Sequence, residues 1–404
     1  MQVFRTIALL CCLTSAVSAQ QKSRARDLGV PFEGLPGPLN AITDVRGVEV
    51  GHATIVRGEG KLVVGVGPVR TGVTGVLPRG RSSKEPVFAS WFTLNGNGEM
   101  TGTTYLDEDG VLYGPLAITN TLSVGVVRDA VISWVERNHY DAFEAGLPVV
   151  AETWDGPFND ISGMHVKAEH LFQALDRASG GAVAEGSVGG GTGMMCHEFK
   201  GGIGTASRRL SADAGGYTVG VLVQCNCCSR ERLTIDGVPV GREIPDLRSC
   251  VTIPDPSSDW AKTLPKCSAT GSRAPVKPPK GRNGSIIVIV ATDAPLISSQ
   301  LRRVAKRVAL GVGRTGGLGE DSSGDIFLAF STISTGLLSD SAVTSVRMLR
   351  NERINPIFAA TVQATEEAIV NAMVAAETTT GADGLRLFAL PHDRLVAAMR
   401  KYGR

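Results

Sequence analysis

The stretch Gly284-Ser285-Ile286-Ile287-Val288-Ile289-Val290-Ala291 contains an apolar run without the polar alternation of a half-exposed strand. Such a run predicts a strand that is buried on both faces, as in the middle of a covered sheet. Residues 254–283, immediately before it, are rich in proline, serine and lysine, which predicts an exposed linker. The bond between Gly284 and Ser285 is therefore expected where an exposed linker enters a buried strand.

Strand and helix patterns on both sides of this run are grouped rather than strictly alternating. Apolar residues at helical spacing predict helices around residues 130–135, 166–175, 301–309, 356–376 and 393–402. Short apolar or alternating runs predict further strands at residues 48–55, 62–69, 86–93, 217–224 and 326–330. This grouping indicates an α/β protein of stacked sheets covered by helices, and it disfavours a doubly wound parallel sheet.

The composition of the 404-residue chain is that of an ordinary globular protein, with 43% hydrophobic and 20% charged residues. Its 41 basic and 39 acidic residues leave a formal net charge of only +2. This balance of charges gives no excess of positive charge that would attract nucleic acid or an anionic membrane. The expected partner is a small molecule or a short peptide, and neither nucleic acid nor membrane is expected to bind.

Residues 1–19 have the pattern of an export signal peptide. Arg5 supplies the positive start, an apolar run follows it, and Ala16-Val17-Ser18-Ala19 provides a small-residue cleavage site. The apolar run is too short to span a bilayer, so we expect a secreted or periplasmic protein that begins at Gln20. The alternative interpretation of this segment is an N-terminal helix of the core.

Six cysteines remain after removal of the signal peptide, in a compartment that permits disulfide bonds. Cys250 and Cys267 flank part of the Pro- and Ser-rich stretch and could close it, although six cysteines allow many complete pairings. The spacing of Cys225 and Cys228, with Cys196 and His197 nearby in sequence, also raises a zinc site as an alternative. Export favours disulfides, and we expect neither a metal nor a cofactor.

The bond between Gly284 and Ser285 has the residue types that self-cleavage requires. Glycine tolerates strained backbone geometry, and the serine hydroxyl can attack the carbonyl that precedes it. Hydrolysis of the resulting ester would leave Ser285 with a free amine, whose pKa near neutrality lets it act as a base. The alternative reading of the same dipeptide is an ordinary turn from a loop into a strand.

Several separated motifs occur together in this chain: Asn40-Ala41-Ile42-Thr43-Asp44-Val45, Glu152-Thr153-Trp154-Asp155-Gly156, Gly189 to Gly193, Gly201-Gly202-Ile203-Gly204-Thr205, Val223-Gln224-Cys225-Asn226, Gly284-Ser285-Ile286-Ile287-Val288 and Ser323-Gly324-Asp325-Ile326-Phe327. In this combination and order the chain resembles the L-aminopeptidase/D-Ala-esterase-amidase and β-peptidyl aminopeptidase family. The resemblance covers most of the chain from about residue 35 onward.

The resemblance implies a four-layer α/β/β/α sandwich, similar to N-terminal-nucleophile hydrolases but with different connectivity. It also implies one composite catalytic domain over residues 40–404, which self-cleavage divides after Gly284. Residues 20–284 would then form an alpha subunit and residues 285–404 a beta subunit. The two fragments are expected to remain associated and to assemble into a homo-oligomer of heterodimers.

Four catalytic residues are implied by the matching motifs. Ser285 corresponds to the nucleophile, and Ser323 with Asp325 corresponds to the serine and acid that assist it. Asn226 corresponds to a side-chain amide that stabilises developing negative charge. Taken without the resemblance, Ser323-Gly324-Asp325 predicts a β-turn, and Asn226 predicts a turn residue at a strand end.

Glu152 and Trp154 correspond to substrate-binding positions. The Glu152 carboxylate would hold the free ammonium of the substrate, which favours peptides with an unblocked N-terminus. Trp154 stands where the family pattern has tyrosine, and this change reshapes the pocket. Cys225, Cys227 and Cys228 surround Asn226 where simpler residues are usual, and the linker before Gly284 is longer than in the pattern.

These features together predict a secreted, self-processing serine aminopeptidase or amidase that forms an acyl-enzyme on Ser285. Its expected substrates are short peptides, amides or esters, including those of D- or β-amino acids. One alternative is an acyltransferase of the same fold, which would pass the acyl group to an amine. Another is a secreted binding protein that keeps the fold without catalysis.

Overall fold

The computed structural model describes residues 22–138, 147–268, 284–333, 335–336, 338 and 341–404. The signal-peptide prediction for residues 1–19 and the last part of the predicted linker lie outside this part of the chain. The β-strands of the described part are β1 (Glu49–Arg57), β2 (Val69–Leu77), β3 (Val87–Gly96), β4 (Val111–Leu112), β5 (Leu116–Asn120), β6 (Val149–Thr153), β7 (Met195–Cys196), β8 (Phe199–Lys200), β9 (Gly202–Arg209), β10 (Thr218–Cys227), β11 (Cys250–Val251), β12 (Gly284–Thr292), β13 (Gly324–Ser331), β14 (Thr379–Thr380) and β15 (Leu385–Leu387). Its α-helices are α1 (Thr103–Asp109), α2 (Val124–Arg137), α3 (Ala168–Asp176), α4 (Val240–Glu243), α5 (Asp259–Lys262), α6 (Ser298–Arg314), α7 (Asn355–Val374) and α8 (His392–Lys401).

Two large sheets form the centre of the molecule. The four-stranded sheet has the order β1-β2-β5-β6, and the six-stranded sheet has the order β4-β3-β13-β12-β10-β9. Every residue of β2, β10 and β13 is buried. Strands are buried on both faces where one face meets another sheet and the other face meets helices.

Three apolar clusters separate the layers. Between the two sheets, Ile118 of one sheet packs with Leu222, Ile287 and Leu328 of the other. On the outside of the four-stranded sheet, helices α2 and α3 cover its other face around the fully buried Trp134. Helices α6 and α7 cover the outer face of the six-stranded sheet. This arrangement confirms the predicted four-layer α/β/β/α fold.

Helix α7 carries a buried ion-pair network that fastens the N-terminal segment to the sheet. The carboxylate of Glu367 is fully buried and pairs with Arg208 of β9 at 2.7 Å and with Arg26 at 2.9 Å. The Asn40 amide donates a further hydrogen bond of 2.6 Å to the same carboxylate. Because a buried charge is tolerated only when it is paired and hydrogen-bonded, these contacts hold residues 22–40 against α7 and β9.

The predicted strand at residues 62–69 is wrong. Val63 and Gly67 instead close a tight turn in which the Val63 N–H donates to the Gly67 carbonyl at 2.9 Å. Gly65 adopts a φ of +84°, which suits a turn and not a strand. The valines at positions 63, 64 and 66 are exposed, so their apolar character reflects no burial in a sheet.

Three disulfide bonds involve all six cysteines that the sequence left unpaired: Cys196–Cys225, Cys227–Cys228 and Cys250–Cys267. The last one closes the segment that the sequence suggested. Zinc is bound by thiolates, so the pairing of the other four sulfurs removes the ligands of the alternative zinc site. Within the described ranges, no helix is both long enough and apolar enough to cross a membrane.

Candidate active site

Strand β12 places Ser285 between two neighbours at one end of the six-stranded sheet. In the antiparallel pair with β10, Ser285 lies directly opposite Asn226. In the parallel pair with β13, Ser285 lies opposite Gly324, between Ser323 and Asp325. Strand register therefore brings the four predicted catalytic residues into one row, although they come from three separate segments of the chain.

The bond between Gly284 and Ser285 has a distinctive local geometry. The buried Ser285 hydroxyl donates a hydrogen bond of 2.7 Å to the Gly284 carbonyl oxygen, so it lies against the group that it would attack. Gly284 has a φ of +103°, and a Cβ at this position would overlap the Asn226 carbonyl. Only glycine fits this backbone without strain.

Ser323 and Asp325 form a buried hydrogen-bonded pair. The Ser323 hydroxyl donates to Oδ1 of Asp325 at 2.7 Å. Burial raises the pKa of Asp325 to about 6, and the negative charge of Glu320 acts in the same direction, whereas the Ser323 hydrogen bond opposes the shift. A carboxyl group with this pKa can gain or lose a proton near neutral pH, as a participant in proton transfer must.

The turn that carries Ser323 is held by β3 and the loop after it. The Asn97 N–H donates to the Ser323 carbonyl at 3.2 Å, and the Asn95 amide donates to the Glu320 carbonyl. A Cβ on Gly324 would lie 2.7 Å from the Cα of Gly98, so the two glycines allow the loop and the strand to touch. These contacts fix the turn next to Ser285.

The Asn226 side chain is held in one orientation by two hydrogen bonds. Its Oδ1 accepts from the Met195 N–H at 2.8 Å, and its Nδ2 donates to the Trp154 carbonyl at 2.8 Å. Nδ2 carries a second N–H, for which the described residues provide no hydrogen-bond acceptor. The nearby N–H groups of Gly189 and Gly190 already donate hydrogen bonds to the hydroxyls of Thr54 and Thr74.

Glu152 lies near the end of β6 and is buried. Its carboxylate accepts from the Glu99 N–H at 3.0 Å and from the Thr121 hydroxyl. A Cβ on Gly98 would lie 3.2 Å from Oε1 of Glu152, and Gly98 also touches Gly324. Because Gly324 is the register partner of Ser285, this chain of contacts connects the Glu152 carboxylate with the end of the sheet that carries the predicted nucleophile.

Trp154 follows β6 directly, and its carbonyl group accepts the hydrogen bond from Nδ2 of Asn226. Its side chain is half-buried, and a Cβ on Gly156 would lie 2.5 Å from the indole Nε1. Gly156 therefore makes room for the indole ring. The indole has an N–H but no hydroxyl where the family pattern has tyrosine.

Several residues that sequence reasoning missed hold the predicted site in place. Met195 and Thr121 orient Asn226 and Glu152, and the Gln224 amide donates to the Thr119 carbonyl at 3.1 Å across the two sheets. Met195 acts through its backbone N–H, and the sequence gives no sign of this role because nearly every residue has such a group. Gln224 is a polar residue within the otherwise apolar run Val219 to Cys225, and this pattern could have indicated a hydrogen bond inside the core.

The sequence profile of peptidase family S58 matches residues 40–387. The chain belongs to peptidase family S58. This membership confirms the resemblance seen in the sequence, and the S58 protein is a serine-type aminopeptidase, hence a hydrolase and not a binding protein without catalysis.

Two curated relatives match the S58 protein over nearly its whole length. It is 51% identical to the β-peptidyl aminopeptidase BapA of Sphingosinicella microcystinivorans, over 97% of this chain and 96% of the relative. Identity to the β-peptidyl aminopeptidase BapA of Sphingosinicella xenopeptidilytica is 45%, over 98% and 96% of the two chains.

Two solved structures are similar to the S58 protein in fold. One is the L-aminopeptidase D-Ala-esterase/amidase of Ochrobactrum anthropi, with a TM-score of 0.81, 41% identity and 94% and 99% coverage of the two chains. It is described as a prototype of the serine aminopeptidases and a variant of the Ntn hydrolase fold. The other is a Burkholderia β-aminopeptidase, with a TM-score of 0.79, 44% identity and 95% and 99% coverage.

Proposed function

We propose that this S58 aminopeptidase is exported, cleaves itself before Ser285, and then removes N-terminal residues from short peptides, amides or esters. The observation that carries the proposal is the contact of the Ser285 hydroxyl with the Gly284 carbonyl. Asn226 on one neighbouring strand and the Ser323–Asp325 pair beside the other supply the groups that such an attack needs.

Self-cleavage begins when Oγ of Ser285 attacks the Gly284 carbonyl carbon. Its proton passes through the Ser323 hydroxyl to the Asp325 carboxylate, and the tetrahedral intermediate carries the negative charge on the former carbonyl oxygen. The C–N bond then breaks, and the Ser285 nitrogen takes the proton. Water hydrolyses the resulting ester, which leaves a carboxylate on Gly284 and a free amine and hydroxyl on Ser285.

Substrate turnover repeats this chemistry at the same hydroxyl. The free amine of Ser285 removes the hydroxyl proton as Oγ attacks the carbonyl of the substrate's first residue. Asn226 donates its spare N–H to the oxyanion, and the leaving amine takes the proton as the acyl-enzyme forms. Water then releases the first residue as a free acid and restores the hydroxyl.

The two fragments are expected to stay together after cleavage. Strands β12 and β13 belong to the C-terminal fragment, yet they lie in the middle of the six-stranded sheet between β3 and β10 of the N-terminal fragment. Separation would break both strand pairings and expose the apolar faces of the sheet. Further assembly into an oligomer of heterodimers remains part of the proposal.

The substrate class follows from Glu152 and from the names of the relatives. The buried Glu152 carboxylate, near the strand end that carries Ser285, favours a substrate with a free ammonium, because an ammonium donates a stronger, charge-assisted hydrogen bond to it than a neutral group does. The two curated relatives are β-peptidyl aminopeptidases, which supports N-terminal β-amino acids as substrates. The Trp154 indole would shape the part of the pocket that accepts the residue after them.

Glu152→Gln should lower kcat/KM for free-amine substrates by about 10- to 100-fold, because it removes a charge-assisted hydrogen bond to the ammonium. The measurement compares α- and β-amino acid p-nitroanilides with their acetylated forms, and the native protein should act only on the free amines. Glu185→Gln is a matched control, since Glu185 is a buried carboxylate that instead pairs with Arg24. Equal rates on free and acetylated substrates would contradict the proposed specificity.

The rate of self-cleavage should rise as the pH increases through about 6, the pKa to which burial raises Asp325. Below this pH the carboxyl group is neutral and cannot accept the proton from Ser285 through Ser323. Uncleaved protein isolated at lower pH would be shifted to a series of pH values, and the two fragments would be followed on a denaturing gel.

Asp325→Asn should cleave slowly and without this pH dependence. Asp293→Asn is the control, because Asp293 lies just beyond the other end of β12 and accepts from the Thr218 N–H at 2.7 Å. This control should keep the native pH profile. An Asp325→Asn protein with the same profile would assign the titration to another group.

A further inference from the structure

Lys200 is a fully buried lysine that the proposed chemistry does not use. Its ammonium donates hydrogen bonds of 2.8 Å to the carbonyl oxygens of Met194 and Gly201, and it lies 5.8 Å from the centre of the Phe158 ring. Among the residues that the structure describes, no carboxylate forms an ion pair with it. Burial lowers the pKa of this lysine to about 7, so the buried ammonium is costly to maintain.

One peptide group connects Lys200 with Asn226. The Met194 carbonyl, which accepts from Lys200, belongs to the same peptide unit as the Met195 N–H, which donates to Oδ1 of Asn226 at 2.8 Å. The Cys196–Cys225 disulfide joins the residues that follow Met195 and precede Asn226. A single peptide group therefore connects the Lys200 ammonium with the Asn226 amide, and the disulfide restrains the residues next to both Met195 and Asn226.

This path fixes the orientation of the Asn226 amide. With the amide turned over, Nδ2 would face the Met195 N–H and Oδ1 would face the Trp154 carbonyl, and neither pair can form a hydrogen bond. An ammonium on the Met194 carbonyl polarises the peptide and strengthens the donation by the Met195 N–H. The same contact prevents rotation of the peptide plane.

We propose that Lys200 is a positioning residue that holds the Met194–Met195 peptide and, through it, the Asn226 amide in the orientation that stabilises the oxyanion. This inference rests on the proposed role of Asn226. The ammonium of Lys200 contacts the Met194 and Gly201 carbonyl oxygens and is not itself a catalytic group. Its contribution to the rate should therefore disappear when Asn226 is removed.

The test is a double-mutant cycle with Lys200→Met, which keeps the length and apolar stem of the side chain and removes the ammonium. We expect kcat to fall about tenfold with KM nearly unchanged, because a misaligned donor weakens only the transition state. In an Asn226→Ala background the same substitution should change kcat by less than about twofold. Rates are measured per mole of the cleaved C-terminal fragment.

Arg208→Met is the matched control, because Arg208 is also a buried cation that donates to backbone carbonyls, on the α7 side of the six-stranded sheet. Its folded, cleaved form should keep the native kcat. If Lys200→Met does not fold, Lys200→Gln keeps a neutral donor and should lower kcat about threefold, again only when Asn226 is present.

An equal loss of kcat from the Lys200 substitution with and without Asn226 would overturn this inference alone. A cleaved Asn226→Ala protein with native kcat would instead overturn the role of Asn226 in the proposed function, and the inference with it. The two failures are distinguished by the Asn226→Ala variant alone.

Discussion

Ser285→Ala should remain a single uncut chain and lose at least about 10⁴-fold of its aminopeptidase activity. Without the hydroxyl there is no nucleophile to attack the Gly284 carbonyl, so the acyl shift cannot start. The amine that would act as the base in turnover is then never released either. A denaturing gel and a p-nitroanilide assay on the purified variant measure the two losses separately.

Ser331→Ala is the matched control for this substitution. Ser331 is a buried serine at the other end of β13, where its hydroxyl donates to the Ala294 carbonyl at 2.7 Å. Removal of this hydroxyl should leave cleavage and activity intact. Two fragments from Ser285→Ala, with the cut at the native position, would exclude Ser285 as the group that attacks.

Asn226→Ala should lower kcat by roughly 10²- to 10³-fold while KM stays nearly unchanged, because its donation to the oxyanion strengthens only in the transition state. Self-cleavage passes through a similar tetrahedral intermediate at the same serine, so this variant should also mature slowly. Activity is therefore expressed per mole of cleaved C-terminal fragment, which separates a defect in maturation from one in turnover.

Asn371→Ala is the comparison for this variant. Asn371 has a buried amide with two backbone partners, the Ala25 N–H and the Thr205 carbonyl, and it lies on α7. Its loss should affect stability but not the kcat of the folded, cleaved protein. Native kcat in a cleaved Asn226→Ala protein would mean that another group stabilises the oxyanion.

Periodicity and grouping predicted the buried strand at Ser285, the helices on either side of it and the stacking of the sheets. These features depend on apolar spacing, which a single sequence displays directly. The prediction of a strand at residues 62–69 was wrong because the sequence alone does not show whether a run of valines is buried or exposed. The positive φ of Gly65 and the hydrogen bond from the Val63 N–H to the Gly67 carbonyl distinguish the turn.

The site residues could be named from the motifs, but their proximity could not. Ser285, Asn226 and Ser323 meet because three strands pair in one register, and register depends on contacts across the whole sheet. The supporting contacts of Met195 and Glu99 were also inaccessible, because backbone N–H groups occur in nearly every residue. The sequence shows a lysine at position 200 but does not show that its side chain is buried.

The most direct test of the central claim is N-terminal sequencing of the purified mature protein, combined with the masses of its chains. We expect two chains of roughly 28 and 13 kDa, residues 20–284 and 285–404, and the smaller one should begin Ser-Ile-Ile-Val. A single uncut chain with full aminopeptidase activity, or a smaller chain that begins at any other residue, would contradict it.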